Sequence, residues 1–305
     1  MTRIAYSLTL TFCVLTFTFA ADPVHACAAG QSDPQAAAAP PASSTAAPSA
    51  AAAPQTAADD EDNDDATLRP LEPDFSLVNL PTTLPLPVHA GDFHLTHRFN
   101  ENLRRDSFGT QASNLFGLDE GATIQFEYRF GVMKHVEAIA SRTNVDRDIQ
   151  LSTKYDAFQE SKSRPIGLSA IVAVEGGNNF RENYAPSIGV VLSRTIAGVA
   201  AVYATPVFSH NTLPGSSVVL NTSYIGLGAR VRVRPTVYVV GEVSPRMSGY
   251  VAGDAEFGFS LEKRVGAHVF AMTFSNSAAT TYGQIARGGN PQSLYLGFNL
   301  ARKFF

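Results

Sequence analysis

Tryptophan is absent from this 305-residue chain, and cysteine occurs only at Cys13 and Cys27. Cys13 lies in an N-terminal stretch that we predict to be removed, so the mature chain can form no internal disulfide, and the paired spacings of zinc sites are missing. There is also no HExxH, no GKS or GKT phosphate loop, no GxSxG elbow and no CxxC. These absences disfavour the common hydrolase, nucleotide-binding and redox classes. We expect no enzymatic activity, no cofactor and no metal.

Long apolar runs are equally scarce, since the only one covers residues 4–19. Arg3 precedes this run and small residues follow it, which predicts a signal peptide over 1–21 and export through the Sec pathway. A retained membrane helix is disfavoured because the run falls short of the ~20 residues that a helix needs to span a bilayer. Lipoprotein processing at Cys27, after "VHA", stays open as a second option.

Lysine and arginine are missing from 22–68, a stretch with eight acidic residues, many alanines and prolines, and almost no large apolar side chains. Such a composition buries too little surface to offset the entropy of ordering, so we predict a disordered linker. Its acidic run at 59–65 lacks the glycine and the spaced ligands of a calcium loop, and we interpret it as a solvated spacer. The third predicted segment, 69–305, has 22 lysines and arginines against 19 acidic residues and is thus nearly neutral.

No helical stripe recurs after Arg69, whereas alternation of apolar and polar residues does. The segment "TIQFEYRF" is typical: its apolar set is Ile124, Phe126, Tyr128 and Phe130, and its polar set is Thr123, Gln125, Glu127 and Arg129. We predict twelve strands, beginning near residues 92, 122, 135, 148, 166, 185, 199, 224, 236, 256, 268 and 293.

The connections between these strands alternate between tight turns and longer Gly- and Asn-rich segments. An even strand count with both termini on the side of the short turns is typical of an outer-membrane barrel. We therefore predict an all-β fold: a closed antiparallel transmembrane β-barrel of about 12 strands, with short periplasmic turns and longer outer loops. Two connections, 143–147 and 157–165, fit this alternation poorly, and in 175–183 the run of Gly and Asn predicts a tight loop without requiring a ligand.

A soluble β-sandwich would show the same alternation, because it buries its apolar faces between two sheets. The opposite face separates the two folds, since here it carries charges of both signs, as a polar lumen would. We predict that the following residues line this lumen: His94, Arg98, Gln125, Glu127, Arg129, Lys154, Arg230, Arg232, Glu242 and Glu262.

Two sets of basic residues invite a functional interpretation. His94 and His97 are three apart, which on a strand sends their rings to opposite faces, so we place His94 in the lumen and His97 on the wall. The run "RVRVRP" at 230–235 either forms an anion-attracting strip on a pore wall or pairs with acids on neighbouring strands, Glu242 or Glu262. We favour pairing.

The chain ends on a strand with two aromatic residues, "LGFNLARKFF". We predict that Phe298, Phe304 and Phe305 form the C-terminal anchor that barrel-assembly machinery reads, and that Phe304 faces lipid. Counting alternate positions back from Phe305 meets Lys303 and Asn299, so the apolar register runs from Phe304.

Several segments resemble a known family, the bacterial β-barrel proteins of domain-of-unknown-function family 5777. These segments are "GDFHLTHRFNENL" (91–103), "NLFGLD" (114–119), "GARVRVRPTVYVV" (228–240), "LEKRVGAHVF" (261–270), "QIARGG" (284–289) and "LGFNLARKFF" (296–305). The resemblance covers about 75–305 and implies an outer-membrane barrel of a Gram-negative-type envelope. It implies no catalytic residues, because the family is uncharacterised.

We therefore expect a protein of the cell outer membrane that acts as a narrow passive channel for small solutes, porin-like, with outer-membrane lipid and the assembly machinery as partners. The alternative is a non-conducting scaffold that binds a periplasmic or surface partner. A third option, a barrel-embedded hydrolase, would need His210, Asp254 and Ser277 to converge at the outer rim. Near-neutral charge and the lack of tryptophan do not indicate nucleic-acid binding, and the sequence sets no oligomeric state.

Overall fold

The computed structural model describes residues 71–118, 120–213, 215–249 and 255–305. The predicted signal peptide, Cys27, the linker with its acidic run, and Asp254 lie outside these ranges. Among the described residues no helix is both long and apolar enough to span a membrane.

Thirteen strands account for most of the described chain. They are β1 (Gly91–Asn102), β2 (Ala122–Met133), β3 (Val136–Thr143), β4 (Ile149–Phe158), β5 (Gly167–Gly176), β6 (Glu182–Ile196), β7 (Ala200–Ser209), β8 (Thr222–Arg234), β9 (Val237–Ser244), β10 (Arg246–Ser248), β11 (Glu256–Val265), β12 (His268–Ser275) and β13 (Tyr295–Phe304). Twelve of them begin within three residues of the predicted positions. The strand that was not predicted is the short β10, which pairs with the edge of β8 beside β9.

The sheet is closed. Each of the twelve long strands pairs antiparallel with its neighbour along the chain, and β1 also pairs with β13, from Gly91 opposite Phe304 to Asn102 opposite Tyr295. Closure leaves the twelve-stranded ladder without a free edge, which is what a sheet needs to span lipid, because the bilayer offers no water to unpaired amides. The predicted closed antiparallel barrel is thus confirmed.

Side chains alternate between the two faces of the wall. On β2, Phe126, Tyr128 and Phe130 are exposed on the outside, whereas Gln125 and Arg129 are buried on the inside. On β1, His97 lies outside and stacks on Phe298, with ring centroids 4.7 Å apart. The barrel therefore turns its apolar face outward and buries its polar face, the reverse of a soluble domain.

Short turns at 134–135, 197–199, 235–236 and 266–267 lie at one end of the barrel together with the longer connection 159–166, and we call this the short-turn end. The other connections form the long-loop end and carry helices α1 (Phe108–Ser113), α2 (Gly177–Phe180) and α3 (Tyr282–Ala286), with a 3-10 turn at Leu115–Gly117. The predicted tight loop at 175–183 uses left-handed backbone at Asn178 and Asn179, with φ of 50° and 59°. The connections 144–148 and 159–166 break the alternation of lengths, as the sequence indicated.

Candidate functional site

All ten side chains predicted to line the lumen lie on the inner face of the wall. Eight of them are buried, and Glu127 and Arg232 are half-buried. They do not surround an open passage, however, because the lumen holds part of the same chain. Residues 71–90, which we predicted only as the beginning of the barrel segment, fold inside it, and we call them the plug.

The plug is a hairpin that enters and leaves at the short-turn end. Its limbs are joined by a bridge between Ser76 and Pro81. A tight tip closes the hairpin, with the N–H of Leu77 donating to the carbonyl of Leu80 at 2.7 Å. The second limb returns to the wall beside the β2–β3 turn, where the N–H of His89 donates to the carbonyl of Gly131 at 2.7 Å. Both limbs are buried along most of their length.

Glu242 of β9 binds the tip of the plug. Its carboxylate accepts hydrogen bonds from the three successive backbone N–H groups of residues 78–80, at 2.9–3.1 Å. The side chain of Asn79 donates to Glu256 at 3.0 Å and accepts from Arg98 at 3.3 Å. Hydrogen bonds from N–H groups to a carboxylate are among the stronger ones in proteins, so the tip is held through its backbone.

Two glycines on β8 make room for the leucines of the tip. Gly226 and Gly228 face inward, and a Cβ on Gly226 would lie 2.6 Å from Cδ2 of Leu80, while one on Gly228 would overlap Cδ1 of Leu77. Leu77 and Leu80 join an apolar cluster that includes Val191, Tyr203, Tyr224 and Val240 on the inner wall. The recess in β8 is therefore shaped to the plug.

Arg230 holds the first limb. Its guanidinium donates to the carbonyls of Ser76 at 2.5 Å and Asp74 at 3.4 Å, and it forms a fully buried ion pair with Glu262 at 2.9 Å. Pairing was the interpretation that we favoured for the arginine run, and the partner is Glu262, since Glu242 is occupied by the tip. Arg232 instead donates to the carbonyl of Gly198 in a turn, so Arg230 and Arg232 do not form the anion-attracting strip that was the disfavoured alternative.

Lys154 holds the second limb and closes a buried network of charges. Its ammonium lies 2.6 Å from Glu137 and 3.5 Å from Asp156, and it donates to the carbonyls of Leu84 at 2.7 Å and Thr82 at 3.2 Å. Farther along the same wall, Arg129 pairs with Glu127 at 2.7 Å and donates to the hydroxyl of Ser76 at 2.9 Å. Both cations thus donate to oxygen atoms of the plug and pair with carboxylates of the wall at the same time.

The last strand contributes the two inward residues that interrupted its apolar register. Asn299 donates to the carbonyl of Val78 at 3.0 Å, and Lys303 donates to that of Pro73. Phe298, Phe304 and Phe305 are exposed, with the guanidinium of Arg302 over the ring of Phe304 at 5.1 Å. The polar positions in the C-terminal pattern therefore have a structural reason, contact with the plug.

A second segment fills the long-loop end. Residues 276–294 fold inward with α3 wholly buried, where we predicted a longer outer loop over 276–292, and we call them the inward loop. The N–H groups of Tyr282 and Gly283 donate to Gln150 and Glu175 at 2.9 and 3.2 Å, and the side chain of Gln284 donates to Asp148 at 2.8 Å. Burial raises the pKa of Asp148 above its ordinary value.

Plug and inward loop meet in the middle of the barrel. A cavity of about 20 Å³ lies between them, lined by Ser76, Val78, Asn79, His94, Thr96, Gln125, Glu127 and Thr280. This volume is close to that of a single water. Among the described residues, this cavity between plug and inward loop is too small to admit a solute.

Sequence reasoning missed the plug because it has no period. Four prolines interrupt 71–90, and they removed the alternation on which the strand predictions depended. A signal was nevertheless present: unlike the preceding linker, this segment is rich in large apolar residues, five of them leucines. Such a composition indicates burial. Of the three residues considered for a hydrolase, Asp254 lies outside the described residues.

Several solved structures are similar to this chain at low identity. The COG4313 outer membrane channel from Pseudomonas putida F1 shows 12% identity and a TM-score of 0.47, covering 72% of this chain and 97% of that one. The NanC porin shows 9% identity and a TM-score of 0.45, covering 70% of this chain and 98% of that one. The outer membrane protein Omp33 of Acinetobacter baumannii shows 8% identity and a TM-score of 0.40, covering 72% of this chain and 99% of that one. No curated protein matches the chain. A family model described as a membrane bound beta barrel domain, DUF5777, matches residues 74–304, and this chain belongs to that family.

Proposed function

We propose that this protein is an outer-membrane channel that its own plug keeps shut, and that it opens for a small solute when the plug leaves the lumen. The observation that carries the proposal is the plug seated in a recess of the wall, with Gly226 and Gly228 leaving space for its leucines. Twelve strands enclose more room than the eight-stranded barrels that side chains alone can fill. Here the plug takes up the part of that room nearer the short-turn end, and its removal would open that part of the lumen.

The way in which the plug is attached supports reversible opening. Its polar attachments run mainly from wall side chains, such as Glu242, Arg230 and Lys154, to its backbone. In an open barrel, water would replace the plug at these charged groups, so opening would not strand them in an apolar medium. The charges of both signs that we predicted for the lumen would then line the passage.

The inward loop favours the second function, a non-conducting scaffold. It fills the long-loop end independently of the plug, with all five residues of α3 buried. A barrel sealed twice would serve to display its outer loops to a partner. Conductance separates the two functions, and we propose no catalytic activity for either.

A reversible lock on the plug provides the test. The hydroxyl oxygens of Thr83 on the plug and Ser193 on β6 lie 2.5 Å apart. A double substitution, Thr83→Cys with Ser193→Cys, should therefore place two sulfurs within bonding reach. Cys27→Ser in the background leaves these as the only thiols of the chain without its predicted signal peptide.

Planar bilayers would report the outcome. In a background with the inward loop shortened, we expect the oxidised variant to be silent, the reduced variant to conduct only while its plug is out of the lumen, and a variant lacking residues 71–86 to conduct continuously. Conductance by the oxidised variant would show that the plug does not block. Silence of the folded plug-deleted barrel, even after the inward loop is shortened, would favour the scaffold. Heat-modifiable migration in gels would verify folding of each variant.

Placement in the outer membrane, export through the Sec pathway and assembly through the C-terminal strand belong to the same proposal. The family of membrane-bound barrels and the outward aromatic side chains of β13 support it. Membrane fractionation of the expressing cell is the check, and recovery in the inner-membrane or soluble fraction would contradict it.

A further inference from the structure

Three potential metal ligands converge where the first limb of the plug passes β1. Asp74 comes from the plug, and Asp92 and His94 come from alternate, inward-facing positions of β1. One ligand atom from each lies within 4.8 Å of the other two. All three residues are buried, with exposed fractions of 3%, 0% and 4%.

These side chains have unused ligand atoms. Both carboxylate oxygens of Asp92 and the Nδ1 atom of His94 are buried without a hydrogen-bond partner among the described residues. Asp74 accepts a hydrogen bond from the N–H of Phe75 at 2.7 Å. A buried carboxylate without hydrogen bonds is costly, and here a second carboxylate close by adds repulsion. A bound dication would relieve both costs.

The neighbouring cations do not take that place. Arg129 and Lys303 are the positively charged neighbours of Asp92. Arg129 forms its close ion pair with Glu127, at 2.7 Å, and Lys303 donates to the carbonyl of Pro73. Their charges reduce the repulsion between the carboxylates, but neither cation nor any other described residue donates a hydrogen bond to the oxygens of Asp92.

We propose that Asp74, Asp92 and His94 bind a divalent first-row transition metal, which clamps the plug to the wall. Two carboxylates and one imidazole form a mixed oxygen and nitrogen set that suits Zn²⁺ and similar ions. Their two negative charges balance the ion. A tetrahedral site needs a fourth ligand, which a water would supply. Of the three residues, His94 borders a cavity of about 20 Å³, a volume that fits one water. The binding site does not depend on conduction, so it can be tested separately from the proposed channel.

Calorimetric titration of Zn²⁺ into the full-length protein in detergent, after treatment with EDTA, tests this site. We expect one buried site in the unmodified protein, lost in Asp92→Asn and in His94→Gln. The control is His97→Gln, three residues along the same strand on the outer face, which should bind as the unmodified protein does. Zn²⁺ should also raise the melting temperature of the unmodified protein and leave that of Asp92→Asn unchanged.

Asp74→Asn tests whether the ion bridges plug and wall, and it should lose the site as well. Retention of full affinity by this variant would place the ion on the wall alone and overturn the clamp. Two results would overturn the site itself: no binding of Zn²⁺ by the unmodified protein, or binding by Asp92→Asn and His94→Gln with the affinity of the unmodified protein. Circular dichroism of each variant without Zn²⁺ would confirm that the barrel is folded.

Discussion

The grip of Glu242 on the tip of the plug makes a quantitative prediction. Substitution by alanine removes the common acceptor of three backbone N–H groups. Each buried N–H left without a partner costs about 1–3 kcal/mol. Because water enters once the tip shifts, we take the low end of the sum, about 3 kcal/mol. At 1.4 kcal/mol for each factor of ten, the tip should open roughly 100-fold more often.

Hydrogen exchange read by mass spectrometry measures this opening directly. Amides in residues 75–84 should exchange faster in Glu242→Ala, whereas amides of the barrel strands keep their protection, since local opening does not require unfolding of the sheet. Glu242→Gln should fall in between, because its amide retains one acceptor oxygen but points an NH₂ group at the remaining donors.

Glu182→Gln is the matched control, an exposed glutamate at the start of β6 near the long-loop end. It should exchange as the unmodified protein does. Unchanged exchange at the tip of Glu242→Ala would refute the grip. Equal acceleration in the tip and in the strands would instead show that Glu242 stabilises the whole barrel, which would equally contradict a local role.

Three further changes test neighbouring parts of the lumen. Gly228→Val should displace the plug and speed hydrogen exchange at its tip. Gly241→Val, where a Cβ meets nothing within 4 Å, should not. Equal effects of the two substitutions would show that the recess in β8 does not hold the leucines of the plug. Arg230→Ala leaves Glu262 buried without its partner and should lower the free energy of unfolding by about 3–5 kcal/mol, seen as a lower melting temperature; an unchanged melting temperature would show that the pair is not structural. Burial raises the pKa of Asp148, so the ionised form of this carboxyl destabilises the folded inward loop. Protection of the loop amides against hydrogen exchange, corrected for intrinsic exchange rates, should therefore increase as the pH falls through that pKa. Asp148→Asn should abolish this pH dependence, and its persistence would assign it to another group.

The wall of the barrel was predictable from local pattern. Alternation depends only on which face of a strand meets lipid, so the twelve strand beginnings and the outward set of β2 followed from it. Which side chains pair with each other on the inner face was harder to predict from the sequence. Arg230 had acids available on both of the following long strands, and the choice of Glu262 depended on a tip that had already occupied Glu242.

The contents of the lumen were out of reach for a different reason. A period-two pattern says that a side chain points inward and says nothing about what it meets there. Gln150 and Glu175 are polar residues at inward positions of their strands, yet their partners are backbone amides of α3, far along the chain. Only the apolar composition of the plug hinted at burial.

The prolines of the plug do more than interrupt regular secondary structure, because they also reduce the number of backbone N–H groups that the lumen must satisfy. Inside a barrel every backbone N–H needs an acceptor, and the four prolines in 71–90 remove four such donors. The segment therefore has more carbonyl acceptors than N–H donors, and side chains of the wall supply the missing donors. Lys154, Arg230 and Lys303 all donate to plug carbonyls. The backbone donors of residues 78–80 at the tip all bond to one carboxylate, that of Glu242. Because the wall binds the backbone of the plug, substitutions in the wall should loosen the plug more than substitutions of its polar side chains. We expect hydrogen exchange at the tip to be faster in Glu242→Ala than in Thr82→Val, and equal or faster exchange in Thr82→Val would contradict this.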